Sequence, residues 1–560
     1  MDAFTREQVD QLARPAPTDR SLSLITDFLK TAVAWWLAML LAWIALCVPL
    51  FLVDLPPLGD YPNHLARMVL MSRLPDDPVL ASFYMTNWAI IPDLAIDVFM
   101  PALVKVIPPL LAGKLLLAGI LLLDIIGAAA YAACVHGRRT WWSLGAALAG
   151  YNIAFMMGFL NFNVSLGLAM LLAAGWIGLR RWTVLRAAAF AVAASALLFF
   201  CHLMGLFFFL ALAGSFEASL LWVSLRDTGR SREMFQRTLV AAGSLAAMLV
   251  PVAVLYPLTG LSSTAGDDTR FLSPHEKLVQ LIGPFVNYNF SLDALTACAV
   301  LGVLLAGLVT RRLILAPGAV AAVMGVALLY TALPTEYKGT GFLDTRLAVR
   351  LGFLAFTAFR LRLSPLLSRA VGVGLLVLFG LRVATVSFAW IESRIDVDNT
   401  RALVSLVQPG ERVAQIGIGP DDVVDYWEKV GLPWRLSTNE RTGFHMPGYF
   451  FIERSAFWPY LFTDVLQQPI VMRPPYDDRR YTFRGRPSRA RLADIGGEAG
   501  LPTVNPYCAF DVVLFQDIWA EPHPATIQPN WLEFVAANKT AALYRVRAPR
   551  SCPVVVPNGA

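Results

Sequence analysis

The segment LGDYPNHLARM, residues 58 to 68, places an acid, an imidazole and a guanidinium close together directly after a long apolar run. Asp60 and His64 are four residues apart, so they share one face if the segment is helical. A carboxylate there could act as a general base on a substrate hydroxyl, with His64 assisting and Arg67 binding substrate. The structural alternative is that Asp60 caps a helix with proline in its first turn and that His64 is an ordinary interfacial residue.

A second pair of chemically useful residues lies in PTEYKGTGFLDTRLAVR, residues 334 to 350. Arg346 and Arg350 are also four apart, and two guanidinium groups can hold a phosphate by paired hydrogen bonds. Asp344 is a further candidate for substrate binding. Alternatively, the two arginines anchor the end of a span and Asp344 is their partner.

Three polar residues interrupt otherwise apolar turns. Asn161 and Asn163 occur in GFLNFNVS, and His202 occurs in FFCHLMG. All three are candidate substrate-binding residues. The alternatives are a hairpin turn for the asparagines and a hydrogen bond between helices for the histidine.

The composition shows what must position these residues. The chain has 560 residues, of which 57% are hydrophobic and 15% charged, and its mean hydropathy is +0.57. A soluble protein would carry roughly a quarter charged residues, and several runs reach the ~20 apolar residues that cross a bilayer. We therefore predict an α-helical polytopic membrane bundle of about eleven transmembrane helices. The predicted crossings are 31–53, 113–135, 141–158, 162–179, 186–201, 203–223, 238–257, 293–310, 314–333, 347–360 and 369–391.

Arginine-rich connectors set the predicted orientation. HGRRT, RRWTVLR, RDTGRSREMFQR, RR at 311–312 and RLRLSPLLSR alternate along the chain, and all are cytoplasmic if the N-terminus is cytoplasmic. We therefore predict a cytoplasmic segment 1–30 and a transmembrane domain 31–391. The long first outer loop, 54–112, should contain two amphipathic interfacial helices. The predicted location is the bacterial inner membrane, with multiple passes.

The composition changes after residue 391, where no long apolar run remains. Short β-like runs at 412–418, 511–515 and 542–547 predict an α/β domain over 392–560, exported to the periplasm because an odd number of spans precedes it. Cys508 and Cys552 could form a disulfide there. The aromatic segment 444–462, which includes His445, favours core packing, with carbohydrate stacking or bilayer docking as alternatives.

With this topology, most of the polar residues singled out above lie at the outer ends of spans. Polar groups are costly in lipid, so they should face one another or a wet cavity. A carboxylate near a phosphate grip at the outer leaflet suggests transfer from a phospholipid-linked donor.

On these features the chain resembles the GT-C class of polyprenyl-phosphate-sugar-dependent glycosyltransferases. The resemblance rests on GDYPNHLAR right after the first span, the interfacial helices of the outer loop, the short paired spans and the terminal α/β domain. It implies that Asp60 is the catalytic base. Many members carry two neighbouring acids where this chain has Asp60 and Tyr61, so the second role falls to His64, Asp93 or Asp97, and Asp97 is a candidate for substrate binding.

The resemblance implies an inverting transfer of a hexose or pentose to an envelope glycan, lipid or protein. Asp60 deprotonates the acceptor, Arg346 and Arg350 offset charge on the leaving polyprenyl phosphate, and His64 and His202 position the substrates. No metal-binding motif occurs in the sequence, but a divalent cation, Mg²⁺ or Mn²⁺, could take part. We expect the lipid bilayer as a partner and no nucleic acid.

Two other functions compete with this interpretation. In a transporter or flippase, Asp124 and Glu217 would carry protons, but such a protein should have polar residues at the midplane and repeated halves, which the sequence does not show. A non-catalytic scaffold with an exported binding domain would not need the polar residues at the membrane rim.

Overall fold

The computed structural model describes residues 23–178, 183–226, 231–260, 269–337, 340–418, 440–474, 476–477, 510–517, 532–539 and 541–547. Cys508 and Cys552, whose disulfide the sequence suggests, lie outside these residues. The helices are α1 (Ser23–Leu52), α2 (Tyr61–Arg73), α3 (Pro78–Phe83), α4 (Ala95–Val106), α5 (Pro109–His136), α6 (Ile153–Met156), α7 (Leu160–Gly178), α8 (Val184–Cys201), α9 (Leu203–Arg226), α10 (Ser231–Leu255), α11 (Pro274–Gln280), α12 (Phe290–Val309), α13 (Ala319–Ala332), α14 (Leu343–Thr357), α15 (Pro365–Val404) and α16 (Glu440–Glu453). Short 3-10 helices cover Trp142–Ala149, Tyr256–Leu258 and Gly283–Phe285.

Eight helices within the described residues are long and apolar enough to cross a membrane, so the protein is a multi-pass membrane protein. These spans are Ala32–Leu52, Pro109–His136, Leu160–Gly178, Val184–Cys201, Leu203–Val223, Ala241–Leu258, Phe290–Val309 and Pro365–Val404. Large apolar side chains on them are exposed, such as Leu41 at 56% and Leu376 at 67%. Such side chains suit a lipid environment rather than water.

Three of the eleven predicted crossings differ from that set. Segment 141–158 is not one helix, because the Asn152 side chain bonds to Ala149 O and to the Phe155 N–H, ending one short helix and starting the next. The predicted crossing 314–333 is the 14-residue helix α13, and 347–360 corresponds to the 15-residue helix α14. Both are shorter than the ~20 residues of a full span.

The two helices predicted in the first outer loop are present as α2 and α4. They do not both lie on the surface, because α2 is buried along almost its whole length. The strand β1 (Tyr84–Thr86) of the same loop pairs antiparallel with β5 (Ile470–Met472), with Tyr84 opposite Met472. The first loop is therefore tied to the C-terminal region by backbone hydrogen bonds.

The C-terminal region contains a four-stranded sheet in the order β4 (Val413–Ile418), β6 (Val512–Asp517), β8 (Ala541–Val546) and β7 (Leu532–Ala537). Strands β4 and β6 are parallel, and the other neighbours are antiparallel. The three β-like runs read from the sequence correspond to β4, β6 and β8. A separate small pairing joins β2 (Leu313–Leu315) to β3 (Phe359–Leu361).

Helix α15 connects the membrane bundle to this sheet. Its 40 residues correspond to about 60 Å, twice the hydrocarbon thickness. The helix therefore continues past residue 391, the predicted domain boundary, as far as Val404. One hydrophobic core contains residues of α1, α2, the end of α15, α16 and the sheet. The aromatic segment 444–462 contributes Tyr449 and Trp458 to that core, both fully buried.

Candidate active site

Asp60 lies at the start of α2, where the chain leaves the first span. Its N–H donates to Met157 O at 2.9 Å, and the neighbouring Gly59 N–H donates to Met156 O at 2.9 Å. Asp60 occupies the N-cap position, but its side chain makes no capping hydrogen bond. The capping alternative is therefore wrong for the carboxylate, which is 5% exposed and directed at another part of the molecule.

The carboxylate of Asp60 faces His445 of α16. The distance from Asp60 Oδ1 to His445 Nε2 is 3.6 Å. On the other side of the imidazole ring, Asn63 Nδ2 lies 3.0 Å from His445 Nδ1. An acid from the first loop and an imidazole from the C-terminal region thus form one polar cluster.

His64 lies beside this cluster, against the ring of Phe462. Its ring is 5.1 Å from that of Phe462, and the His445 ring is 5.2 Å from the same phenyl group. The helical register with Asp60 therefore brings His64 to the same neighbourhood. Its catalytic role stays a prediction.

Arg67 and Asp97 bind each other. Arg67 Nε and Nη2 donate to the two carboxylate oxygens of Asp97 at 2.8 and 3.0 Å, and both residues are 1% exposed. The pair joins α2 to α4 in a bidentate geometry that favours strong charge-assisted hydrogen bonds. Substrate contacts of these two residues stay a prediction, whereas their structural role is visible.

Asn161 holds the turn that precedes α4. Its Nδ2 donates to Asp93 O, and its Oδ1 accepts the Ile96 N–H at 3.3 Å. Asp93 has a φ of 82°, the left-handed region that non-glycine residues rarely adopt. Asn163 Nδ2 donates to Phe159 O at 2.8 Å, and its buried Oδ1 has no hydrogen-bond partner within the described residues. Asn161 therefore has a structural role. The Oδ1 of Asn163 is available to accept a further hydrogen bond.

Arg346 and Arg350 lie on successive turns of α14, packed on aromatic rings. The Arg346 guanidinium is 4.6 Å from the centre of Phe159, and that of Arg350 is 4.7 Å from Phe162. Arg350 Nη1 donates to Arg346 O at 2.9 Å. Its Nε and Nη2 are buried and have no hydrogen-bond partner in the described part of the chain. Two cations are thus held side by side on π faces.

His202 lies beside Arg346 and Arg350, and we call these three residues the arginine cluster. Its ring is 5.7 Å from Phe162, and its Nδ1 accepts the Met204 N–H at 3.1 Å. Burial, together with the charges of Arg346 and Arg350, holds the pKa of His202 well below its usual value. The ring is therefore neutral with its proton on Nε2. The hydrogen bond of Nδ1 stays within its own turn and does not join two spans.

Asp344 is paired with residues of α11. It accepts from Gln280 Nε2 at 3.0 Å, and its Oδ2 is 3.7 Å from Lys277 Nζ. Its own neighbour Thr345 donates a backbone N–H to Oδ1 at 2.9 Å. These contacts fix the start of α14 against α11 and do not make Asp344 the partner of the arginine pair.

Asp93 is an acid near the arginine cluster. Its Oδ1 is shielded from solvent and has no hydrogen-bond partner among the residues described. Burial raises the pKa of Asp93 to about 7, against the lowering effect of the Arg346 charge; Asp97 raises it further and Arg67 lowers it. Asp93 can therefore change its protonation state near neutral pH.

Residues 157 to 159 join the two clusters. Met157 O accepts the Asp60 N–H, and the ring of Phe159 carries Arg346. Gly158, between them, has a φ of 78°, and a Cβ there would lie 2.6 Å from Tyr61 N. Asp60 of the first loop and Arg346 of α14 are thus both anchored on one short turn.

The sequence interpretation missed three residues of this site, namely His445, Phe159 and Phe162. His445 belongs to the aromatic segment 444–462 in the sequence, and it becomes a neighbour of Asp60 only through the tertiary fold. The phenylalanines of GFLNFN, which carry the arginines, look like span residues. The alternation of asparagine and phenylalanine in this segment is the sequence feature that could have indicated their role. Among the described residues, no group of three or more His, Cys, Asp or Glu side chains could hold a metal ion.

No protein-family model matches the chain. No curated protein matches it. Among solved structures, it is similar to ArnT from Cupriavidus metallidurans bound to undecaprenyl phosphate, with 12% identity, a TM-score of 0.48 and coverage of 92% of this chain and 98% of that chain. The apo state of the same protein gives 13% identity, a TM-score of 0.41 and the same coverage. At this level of similarity, function has to be inferred from this chain's own residues.

Proposed function

We propose that the protein is a membrane glycosyltransferase that moves a sugar from a polyprenyl-phosphate carrier to an envelope glycan, lipid or protein. The observation that carries the proposal is Arg350. It is 1% exposed, lies one helical turn from Arg346, and keeps two donor nitrogens without a hydrogen-bond partner within the described residues. A buried cation beside a second cation is costly unless an anion binds there.

The phosphate of a lipid-linked donor is an anion of the right kind. It can accept hydrogen bonds from both guanidinium groups, while its lipid tail stays in the bilayer around the apolar spans. Charge on this phosphate grows as the glycosidic bond breaks, so the arginines stabilise the leaving group more as the reaction proceeds. His202, neutral and with its proton on Nε2, adds a hydrogen-bond donor to the same cluster.

Asp60 supplies the base. Its carboxylate takes the proton of the acceptor hydroxyl, the oxygen attacks the anomeric carbon, and the bond to the polyprenyl phosphate breaks with inversion. The short turn 157–159 ties this carboxylate to the arginine cluster. We place the site at the outer face of the bacterial inner membrane, with the N-terminus cytoplasmic and the sheet region periplasmic.

The test compares deletion cells carrying the native chain, Asp60→Asn, or the control Asp76→Asn, which changes an exposed acid of the same loop. At matched membrane levels, mass spectrometry profiles the polyprenyl-phosphate sugars and the sugars on lipids and polysaccharides. We expect Asp60→Asn, and not the control, to lose one glycan modification while its lipid-linked donor is retained. Membrane assays with EDTA or added Mg²⁺ test the expectation of a divalent cation.

Two results would contradict the proposal in different ways. Identical sugar profiles with and without the whole chain would exclude sugar transfer under those conditions and favour transport or scaffolding. A modification that depends on the chain but survives Asp60→Asn would retain the transferase and remove Asp60 as the base.

A further inference from the structure

The C-terminal region contacts the polar cluster of Asp60, Asn63 and His445 through two hydrogen bonds that involve its backbone groups. Asn63 Oδ1 accepts the Phe462 N–H at 2.9 Å, and Asn63 Nδ2 donates to Tyr460 O at 2.9 Å. Both backbone groups follow α16, the helix that carries His445. Residues after the membrane bundle are therefore locked onto the first turn of α2, beside Asp60.

These two backbone contacts fix the orientation of the Asn63 amide. The oxygen must face the Phe462 N–H, and the NH₂ group must face the Tyr460 carbonyl. The same NH₂ group lies 3.0 Å from His445 Nδ1, so it donates and Nδ1 accepts. The imidazole proton is then on Nε2, the atom that lies 3.6 Å from Asp60 Oδ1.

From this geometry we propose that His445 is a positioning residue that directs an N–H at the Asp60 carboxylate and sets its orientation. The role rests on the proposed function, because it matters only if Asp60 acts as the base. The ring is held for this purpose by aromatic neighbours, with Phe462 at 5.2 Å and Phe444 at 5.7 Å. The exported region would thus complete the catalytic site.

The same contacts argue against a proton relay through the ring. A relay would need Nδ1 to release or accept a proton, but the Asn63 NH₂ group occupies that side as a donor. A proton on Nδ1 would place two donors against each other. His445 therefore remains neutral and orients the carboxylate, while Asp60 alone takes the acceptor proton.

Two substitutions separate orientation from packing. In His445→Gln the side-chain amide nitrogen can reach the position of Nε2 and direct an N–H at Asp60, whereas in His445→Asn the amide reaches only the position of Nδ1. The control is His275→Asn, which makes the same change at an exposed histidine of α11. Full-length proteins in lipid nanodiscs are added to membranes of the deletion cells, which contain the donor, and initial transfer rates are measured from pH 6 to about pH 8.

We expect His445→Gln to keep at least about a third of the rate with the same pH profile, and His445→Asn to lose about 10- to 100-fold in kcat with KM for the donor nearly unchanged. The melting temperature should stay close to that of the wild type in both. Asn63→Asp provides a second variant, because a carboxylate at that position accepts from Nδ1 and moves the proton away from Asp60. Its rate should fall although His445 is present.

Equal rates for wild type and His445→Asn would overturn the proposal, as would equal losses in His445→Gln and His445→Asn. A pH profile that changes in His445→Gln would assign the ring a proton-transfer role instead. The proposed function fails separately, if the wild-type chain transfers no sugar. If wild type transfers and Asp60→Asn does not, an active His445→Asn removes this inference alone.

Discussion

Two kinds of buried arginine occur among the residues that the structure describes, and their difference points to the candidate site. Arg67 is paired with Asp97, and Arg382 donates to Asp293 at 2.6 Å. Arg350 is as deeply buried as Arg67, but its charged neighbour is Arg346, another cation, and the surfaces around it are aromatic rings. Arg67 and Arg350 are equally buried, but only Arg67 has a carboxylate as its charged neighbour.

The difference teaches how to separate structure from function among buried charges. A carboxylate partner offsets much of the cost of removing a guanidinium from water, so the Arg67–Asp97 pair can serve stability alone. Aromatic faces offset a smaller part of that cost. Under the proposed function, the remaining cost of burying Arg350 is offset by an anion that binds from outside the chain.

The largest effect on stability should come from breaking the Arg67–Asp97 ion pair. Asp97→Asn leaves Arg67 buried without a negative partner, and removing one member of a buried pair costs about 3–5 kcal/mol. We expect a marked loss of thermal stability in detergent or nanodiscs, measured by the melting temperature of the purified protein.

The double variant Arg67→Met/Asp97→Leu is the control for that experiment. It removes both charges and fills the space with apolar groups, so stability should recover most of the loss. If Asp97→Asn melts at the same temperature as the wild type, the Arg67–Asp97 pair does not stabilise the fold. The contrast with the arginine pair of α14 would then be lost.

Changing the arginine pair of α14, Arg346 and Arg350, should affect sugar transfer more than stability. Arg350→Gln removes the proposed donor to the substrate phosphate, and we expect transfer to fall by about 100-fold, equivalent to about 2.7 kcal/mol. The melting temperature should be unchanged or higher, because a like-charge contact with Arg346 is relieved. Native mass spectrometry with undecaprenyl phosphate measures binding directly.

Arg312→Gln, at an exposed arginine, is the matched control and should bind as the wild type does. A destabilised Arg350→Gln that still binds undecaprenyl phosphate would make Arg350 a structural residue like Arg67. The distinction between the two kinds of arginine would then be lost.

The sequence predicts the parts of this molecule that depend on local composition. Long apolar runs such as 113–135 identify spans, and alternating runs such as 412–418 identify strands of the sheet. Segment 141–158 has the composition of a span but is divided by Asn152, whose side chain competes for backbone groups. Such local competition is invisible to a hydropathy window.

The site could be predicted only as far as topology brings residues to one end of the bundle. Asp60, His202 and Arg346 contact residues 157–162 in the structure, and Asn161 belongs to that segment. Which charges pair is decided by tertiary contacts, so Arg67 and Asp97 look like free rim residues in the sequence. His445 is hundreds of residues from Asp60, and no local pattern connects them.

The turn that joins the two clusters gives a smaller, mixed effect. Gly158→Ala adds a Cβ 2.6 Å from Tyr61 N and 2.8 Å from Asp60 N at a φ of 78°. We expect a stability loss of about 1–3 kcal/mol and a transfer loss of about 10-fold, because Asp60 must shift. Gly380→Ala, where nothing lies within 4 Å of the added Cβ, should change neither quantity. Normal transfer in Gly158→Ala would show that the turn does not set the position of Asp60.

The smallest effect concerns Asp93 and asks whether the arginine cluster already contains its own anion. Burial raises the pKa of Asp93 to about 7 from 3.8, so between about pH 4 and about pH 7 the folded state binds a proton that the unfolded state has released. Stability should therefore fall as pH rises through this window and level off above about pH 7. Asp93→Asn should flatten that part of the curve, by a few degrees in melting temperature.

The opposite slope would contradict this view of the cluster. If Asp93 were a permanent ionised partner of Arg346, its pKa in the folded state would lie below the unfolded value. Stability would then be lost as pH falls, and Asp93→Asn would remove that acid-side loss. The sign of the difference between wild type and Asp93→Asn, measured over the same pH range, thus decides whether the α14 arginines keep a countercharge of their own or depend on the phosphate of a substrate.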